Sequence, residues 1–110
     1  MSLTEGKNIL VYVETAGDTP VGPALEILAK AKELAGAKGE EVIAAVLAKE
    51  PDAAARTAIE AGADEAVIVK TEEKRPEVRA AMLAKLVEKY TPALVLAAAT
   101  QEGKDVTPLA

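Results

Sequence analysis

The sequence predicts an α/β protein built on an open parallel sheet of four strands with helices on both faces, and three observations lead there. Ile9-Leu-Val-Tyr-Val13 is an unbroken apolar run, as expected of a strand covered on both sides; a strand with one wet face would alternate. Three later runs, Val42 to Leu47, Ala66 to Val69 and Leu94 to Ala99, have the same character. Each is reached through a segment of helical spacing, so the order reads β-α-β-α-β-α-β.

Residues 1 to 7 form a polar lead-in, and the first strand is expected from about Asn8 to Glu14. A turn holding Gly17, Asp18 and Pro20 follows. Gly22-Pro23 starts a helix, since proline is pre-set for the first helical position, where its missing N–H costs nothing. Ala24, Ile27, Leu28, Ala31, Leu34 and Ala35 then fall on one face at helical spacing, and Gly39 is the expected left-handed cap after Lys38.

The second strand is expected over Glu41 to Ala48. Pro51-Asp52 opens a short helix in which Asp52 is placed to cap free N–H groups while Ala55, Ala58 and Ile59 face inward, and Gly62 stops it. Glu65 to Lys70 is the third strand, and the charged run Thr71 to Arg75 reads as a solvated loop. Pro76 begins a third helix with Val78, Met82, Leu86 and Tyr90 inward and Leu83 and Val87 beside them; Met82 is core filling. Pro92 separates it from the fourth strand, Leu94 to Ala99. Val106 to Ala110 can start a helix and no more, so the chain is expected to stop inside an element.

At 110 residues the chain is expected to be a single domain over 1–110, burying about two thirds of its unfolded surface. Its core must be made of Val, Ile, Leu and Ala, because it has two Tyr and no Phe or Trp. The net charge is −5, with 13 basic residues scattered among 18 acidic ones, which argues against nucleic acid and against an anionic membrane as partners. No apolar run is long enough to span a bilayer and the start is too polar for a signal peptide, so a cytoplasmic location is expected. With no Cys and no His, the commonest nucleophile, general base and metal ligands are missing, and an enzyme is not expected. The abundance of Ala, Glu and Lys is a bias that an engineered sequence would share.

Four passages carry a family resemblance: Ile9-Leu-Val-Tyr-Val-Glu14, Ala61-Gly-Ala-Asp-Glu-Ala-Val-Ile-Val69, Tyr90-Thr-Pro-Ala-Leu-Val-Leu96 and Ala99-Thr-Gln-Glu-Gly-Lys-Asp-Val-Thr-Pro-Leu-Ala110. The chain resembles the amino-terminal domain of the electron transfer flavoprotein alpha subunit, a relative of the adenine-nucleotide alpha-hydrolase and universal stress protein sheets. The last passage is the most specific, although Lys104 and Leu109 stand where the family usually has Arg. The resemblance implies a three-layer, Rossmann-like sheet with strand order 3-2-1-4. It also implies that FAD belongs to a separate carboxy-terminal domain and is not expected here, whereas in the sister beta subunit the equivalent loops hold AMP.

With that order, the strand order reverses between the first and fourth strands, where ligand crevices of open parallel sheets form. The reversal faces Glu14 to Gly22 with Thr100 to Asp105, making Thr15, Asp18, Thr100, Gly103, Lys104 and Asp105 the candidate cofactor-binding residues, with AMP the nucleotide they would take. Gly103 and Lys104 amides at a helix start can hold an anion, with the Lys104 ammonium adding charge; the plainer reading is a turn at Gly103 and a helix cap at Asp105. No glycine-rich phosphate motif is present, and Glu14, Asp18, Glu102 and Asp105 read as caps and rim residues, so no metal site is expected.

Three functions from different classes follow: a docking or structural module of an electron transfer flavoprotein lacking its FAD domain, an adenine-nucleotide binder at the crevice, and an engineered α/β scaffold. The order 3-2-1-4 would leave Leu94 to Ala99 as an edge strand without Lys, Glu or Pro to discourage pairing. Self-association, or capture of a partner chain through that strand, is therefore expected.

Overall fold

The computed structural model describes residues 8–98. Strand β1 (Ile9–Val13) is followed by β2 (Thr15–Ala16), β3 (Thr19–Pro20), α1 (Gly22–Lys38), β4 (Val42–Ala48), α2 (Pro51–Ala61), β5 (Glu65–Lys70), α3 (Pro76–Tyr90) and β6 (Leu94–Ala97). The four long strands form one parallel sheet in the order β5-β4-β1-β6, which is 3-2-1-4 when those strands alone are counted.

Alternation along each strand divides the core into two layers. Ile9, Val11, Val13, Val42, Ala44 and Val46 meet α1 and α2 through Ala24, Leu28, Ala31, Ala35, Ala54 and Ala58. Leu10, Tyr12, Ile43, Ala45 and Leu47 meet α3 through Ala80, Leu83 and Leu86. β1 and β4 are buried from end to end, which is why both read as continuous apolar runs. β5 and β6 lie at the sheet edges and are only partly covered.

Proline at the helix starts and glycine after two of the ends place the boundaries as expected. Each of the three helices carries Pro at its first positions, and Gly39 closes α1 with φ 68°, a left-handed conformation that costs glycine nothing. At Gly62, which closes α2, a Cβ would also lie 3.2 Å from Cβ of Lys32, so that glycine lets α1 and α2 approach.

Several expectations need correction. The segment after β1 is a two-stranded hairpin with Thr15 opposite Pro20 and Ala16 opposite Thr19, turned at Gly17 with φ 66°. Its strands are too short to show a period. Leu34 and Ile59 are 49% and 43% exposed and point outward. The inward residues of α2 are Pro51, Ala54 and Ala58 because its core is thin enough for alanine to reach. Asp52 lies in the first turn of α2 and makes no capping bond; the N-cap position is Glu50. On α3 the buried set is Arg79, Ala80, Leu83 and Leu86, while Met82, Val87 and Tyr90 pack at its margin. Val78 is only half-buried. The fourth strand ends at Ala97, and the expected helix stub at 106–110 lies outside the described residues.

Candidate functional site

All strands of a parallel sheet end on the same side, so the carboxyl ends of β1, β4 and β5 open onto one rim. A cleft of about 210 Å³ lies there, lined by Gly17 and Asp18 from the hairpin, Ala48 and Lys49 after β4, Thr71, Glu72 and Lys74 after β5, and Arg79 from α3. A second cleft of about 340 Å³ adjoins it and shares Lys49, Thr71 and Glu72, adding Glu50 and Lys70.

Arg79 is the pivot of this rim. It is only 7% exposed, and its guanidinium donates from Nε to the Glu73 carbonyl at 2.7 Å and from Nη1 to the Tyr12 hydroxyl at 3.0 Å and the Leu47 carbonyl at 3.1 Å. A planar fork can satisfy several acceptors at fixed angles, which an ammonium cannot do in the same way. One side chain thus ties β1, β4 and the β5–α3 loop together. Sequence reasoning passed over it, yet a signal existed: Arg79 precedes Leu83 by four residues and Leu86 by seven, the spacing of the inward face.

The Thr71 to Arg75 segment is a loop exposed at Glu72, Lys74 and Arg75, as expected, and it is tied by local bonds. Thr71 Oγ1 accepts from the Glu73 N–H at 3.0 Å, and both Glu73 carboxylate oxygens receive the Arg75 guanidinium, at 2.8 and 3.1 Å. The Arg75 hydrogen bonds hold the Glu73 carboxyl well below its usual value, at about 2. Lys49 and Glu72 form a looser pair at 3.5 Å, both well exposed.

Two of the six sequence-derived site residues fall within the described structure. Thr15 sits half-buried in the hairpin ladder. Asp18 lines the cleft and is itself engaged, its Oδ1 accepting the Glu50 N–H at 3.1 Å. That bond, with packing of β3 on α2, carries the hairpin tip toward β4 and explains why the cleft opens there. Thr100, Gly103, Lys104 and Asp105 lie outside the described residues, as does the loop expected to face the hairpin across β1 and β6. Among the described residues no acidic cluster is arranged to hold a metal ion, and no helix is long and apolar enough to cross a membrane.

The opposite rim is built for closure. Asn8 accepts from Glu41 N–H and donates its own N–H to Glu40, both at 2.9 Å. Asp64 accepts the Val42 N–H at 2.8 Å and pairs with Lys32 at 2.6 Å, which together hold its carboxyl below the usual range. These bonds hold Asn8, Glu40, Lys32 and Asp64 against the protein, whereas the carboxyl-end rim sets Lys49, Lys74 and Arg79 around open space, with Asp18 and Glu72 beside them.

Residues 9–110 match the family described as the electron transfer flavoprotein domain. No curated protein matches the chain.

Proposed function

The chain belongs to the electron transfer flavoprotein domain family, and on that premise we propose that it serves as the docking and structural module of such a system, associating through the β6 edge and holding no flavin of its own. The observation that supports this reading is the apolar flank beside β6. Leu94 is 43% exposed and lies on the same side of the strand as Leu96, which packs against the α1–α2 core. Lys32 of α1 faces Asp64 and Gly62, hence α2; Leu34, about 200° further round the helix, faces the other way, toward β6. Leu34 and Leu94 therefore share one flank, next to a strand that among the described residues pairs only with β1.

An open edge supplies backbone donors and acceptors, and exposed leucines supply area that water disfavours. Two copies related by a two-fold axis would satisfy both at once, with Leu94 meeting its counterpart. Light scattering after size exclusion tests it: the expected mass is twice the 11.4 kDa of the chain, falling to one chain when Leu34 and Leu94 are both changed to Lys. A parent protein that is monomeric at micromolar concentration removes the docking reading. The purified protein is expected to be colourless, and a stoichiometric yellow chromophore would remove the claim about flavin.

A further inference from the structure

We infer that the carboxyl-end rim is a binding site for a small phosphate monoester with a polar remainder, separate from the β6 docking edge. The 210 Å³ cleft is smaller than the roughly 300–1,000 Å³ of a pocket for a drug-sized ligand, so the part of the ligand held in it is compact, about the size of a phosphate group. Three of its eight lining residues, Lys49, Lys74 and Arg79, are cationic. Against them stand two acids, Asp18, which accepts the Glu50 N–H, and Glu72, which forms a loose pair with Lys49, so three cations against two carboxylates leave one positive charge in excess. Arg79 contributes a charge whose position is fixed by Tyr12, Leu47 and Glu73, while Lys49 and Lys74 stand on loops and can close on an incoming oxyanion. Thr71 Oγ1 accepts from Glu73 N–H, so its own hydrogen is available to donate toward the cleft that it lines.

The second cleft defines the remainder of the ligand. It meets the first at Lys49, Thr71 and Glu72, and its lining of Lys49, Glu50, Lys70, Thr71 and Glu72 has no aromatic or aliphatic side chain on which a nucleobase would stack. A ligand phosphate competing for Lys49 would release Glu72 and join the two spaces, letting hydroxyl groups of the remainder reach Glu72, Glu50 and Lys70. The exposed Lys49–Glu72 pair is weak enough to be exchanged in this way.

Isothermal titration of the intact protein with glycerol phosphate, inorganic phosphate and AMP tests the inference. Glycerol phosphate is expected to bind more tightly than inorganic phosphate and at least as tightly as AMP. Lys49→Gln and Lys74→Gln are each expected to weaken it about tenfold, the scale of one charge-assisted hydrogen bond. Both side chains are at the surface, so unchanged circular dichroism certifies the fold, and the Leu34→Lys Leu94→Lys protein is expected to bind with unchanged affinity, separating this site from the docking edge. Absence of heat up to about 10 mM ligand, affinity indifferent to both lysine substitutions, or a clear preference for AMP would each overturn it.

Discussion

On the face covered by α1 and α2 the helices present mainly Ala24, Ala31, Ala35, Ala54 and Ala58 to strand residues that are mostly Val and Ala, with Leu28 the one large helical side chain buried there. On the other face a single long helix, α3, brings Leu83 and Leu86 against Leu10, Tyr12, Ile43 and Leu47, and carries Arg79 in among them. The first face gains stability from close approach of small residues, the second from large side chains crowned by a polar node at the strand ends. The difference separates two kinds of surface as well: the alanine side carries the exposed apolar flank of Leu34 and Leu94, while the α3 side ends, among the described residues, in a rim where a fixed charge borders a cleft.

Three measurements break or sharpen that contrast. Arg79→Leu is expected to have the largest effect, about 3 kcal/mol in chemical denaturation, since the Leu47 and Glu73 carbonyls lose a charged donor; Arg79→Lys should recover only part, because an ammonium cannot span the three acceptors. If leucine proves neutral, the node contributes nothing to stability and the contrast between faces fails. Ala31→Leu is next, at about 1–3 kcal/mol, from overpacking a fully buried position that holds only a methyl group. The equivalent enlargement at Ala81, exposed on α3, is expected to be nearly neutral, and equal costs at the two positions would show that closeness of packing is not what distinguishes the first face.

The smallest effect is on pH dependence, and it separates the two rims. Glu73 has a folded pKa near 2 against an ordinary 4.5, so whatever its bonds contribute is fully present above 4.5 and lost as pH falls toward 2. Asp64 is also lowered, mainly by its hydrogen bond from Lys32, and its contribution is likewise lost on acidification, below the ordinary value of 3.8. Carboxyl chemical shifts followed by NMR should show Glu73 titrating near 2. A Glu73 midpoint at the ordinary value would mean that the Arg75 clasp does not persist in solution.

Legibility differed along the same division. The regular face was readable because Ala24, Leu28, Ala31 and Ala35 recur at helical spacing over a strand of buried type. On α3 apolarity alone does not mark the inward face: Leu86 is buried as its spacing predicts, but Arg79 is buried too, while the more apolar Val78, Met82 and Tyr90 are only partly covered. An arginine is buried only where acceptors await it, and the nearest in sequence, the Glu73 carbonyl, is six residues away while Tyr12 is 67 away. Of the cleft on the described rim, Asp18 alone was among the site residues singled out from the sequence; its place beside β4 and β5 was not legible, because the hairpin that carries Asp18 there is anchored through Glu50, 32 residues distant.

By itself the sequence determined the kinds, order and ends of the long elements: proline at Pro23, Pro51 and Pro76 and glycine at Gly39 and Gly62 act on their own dihedral angles, and continuous apolar runs specify strands buried on both sides. Only the tertiary structure decided how each helix is rotated about its axis, which leucines face water, and where Arg79 finds its acceptors. Those outcomes depend on groups brought together from across the chain, whose distances no local periodicity encodes. Residues that shape the rim at β1, β4 and β5 become neighbours only once the parallel crossovers have aligned the strand ends.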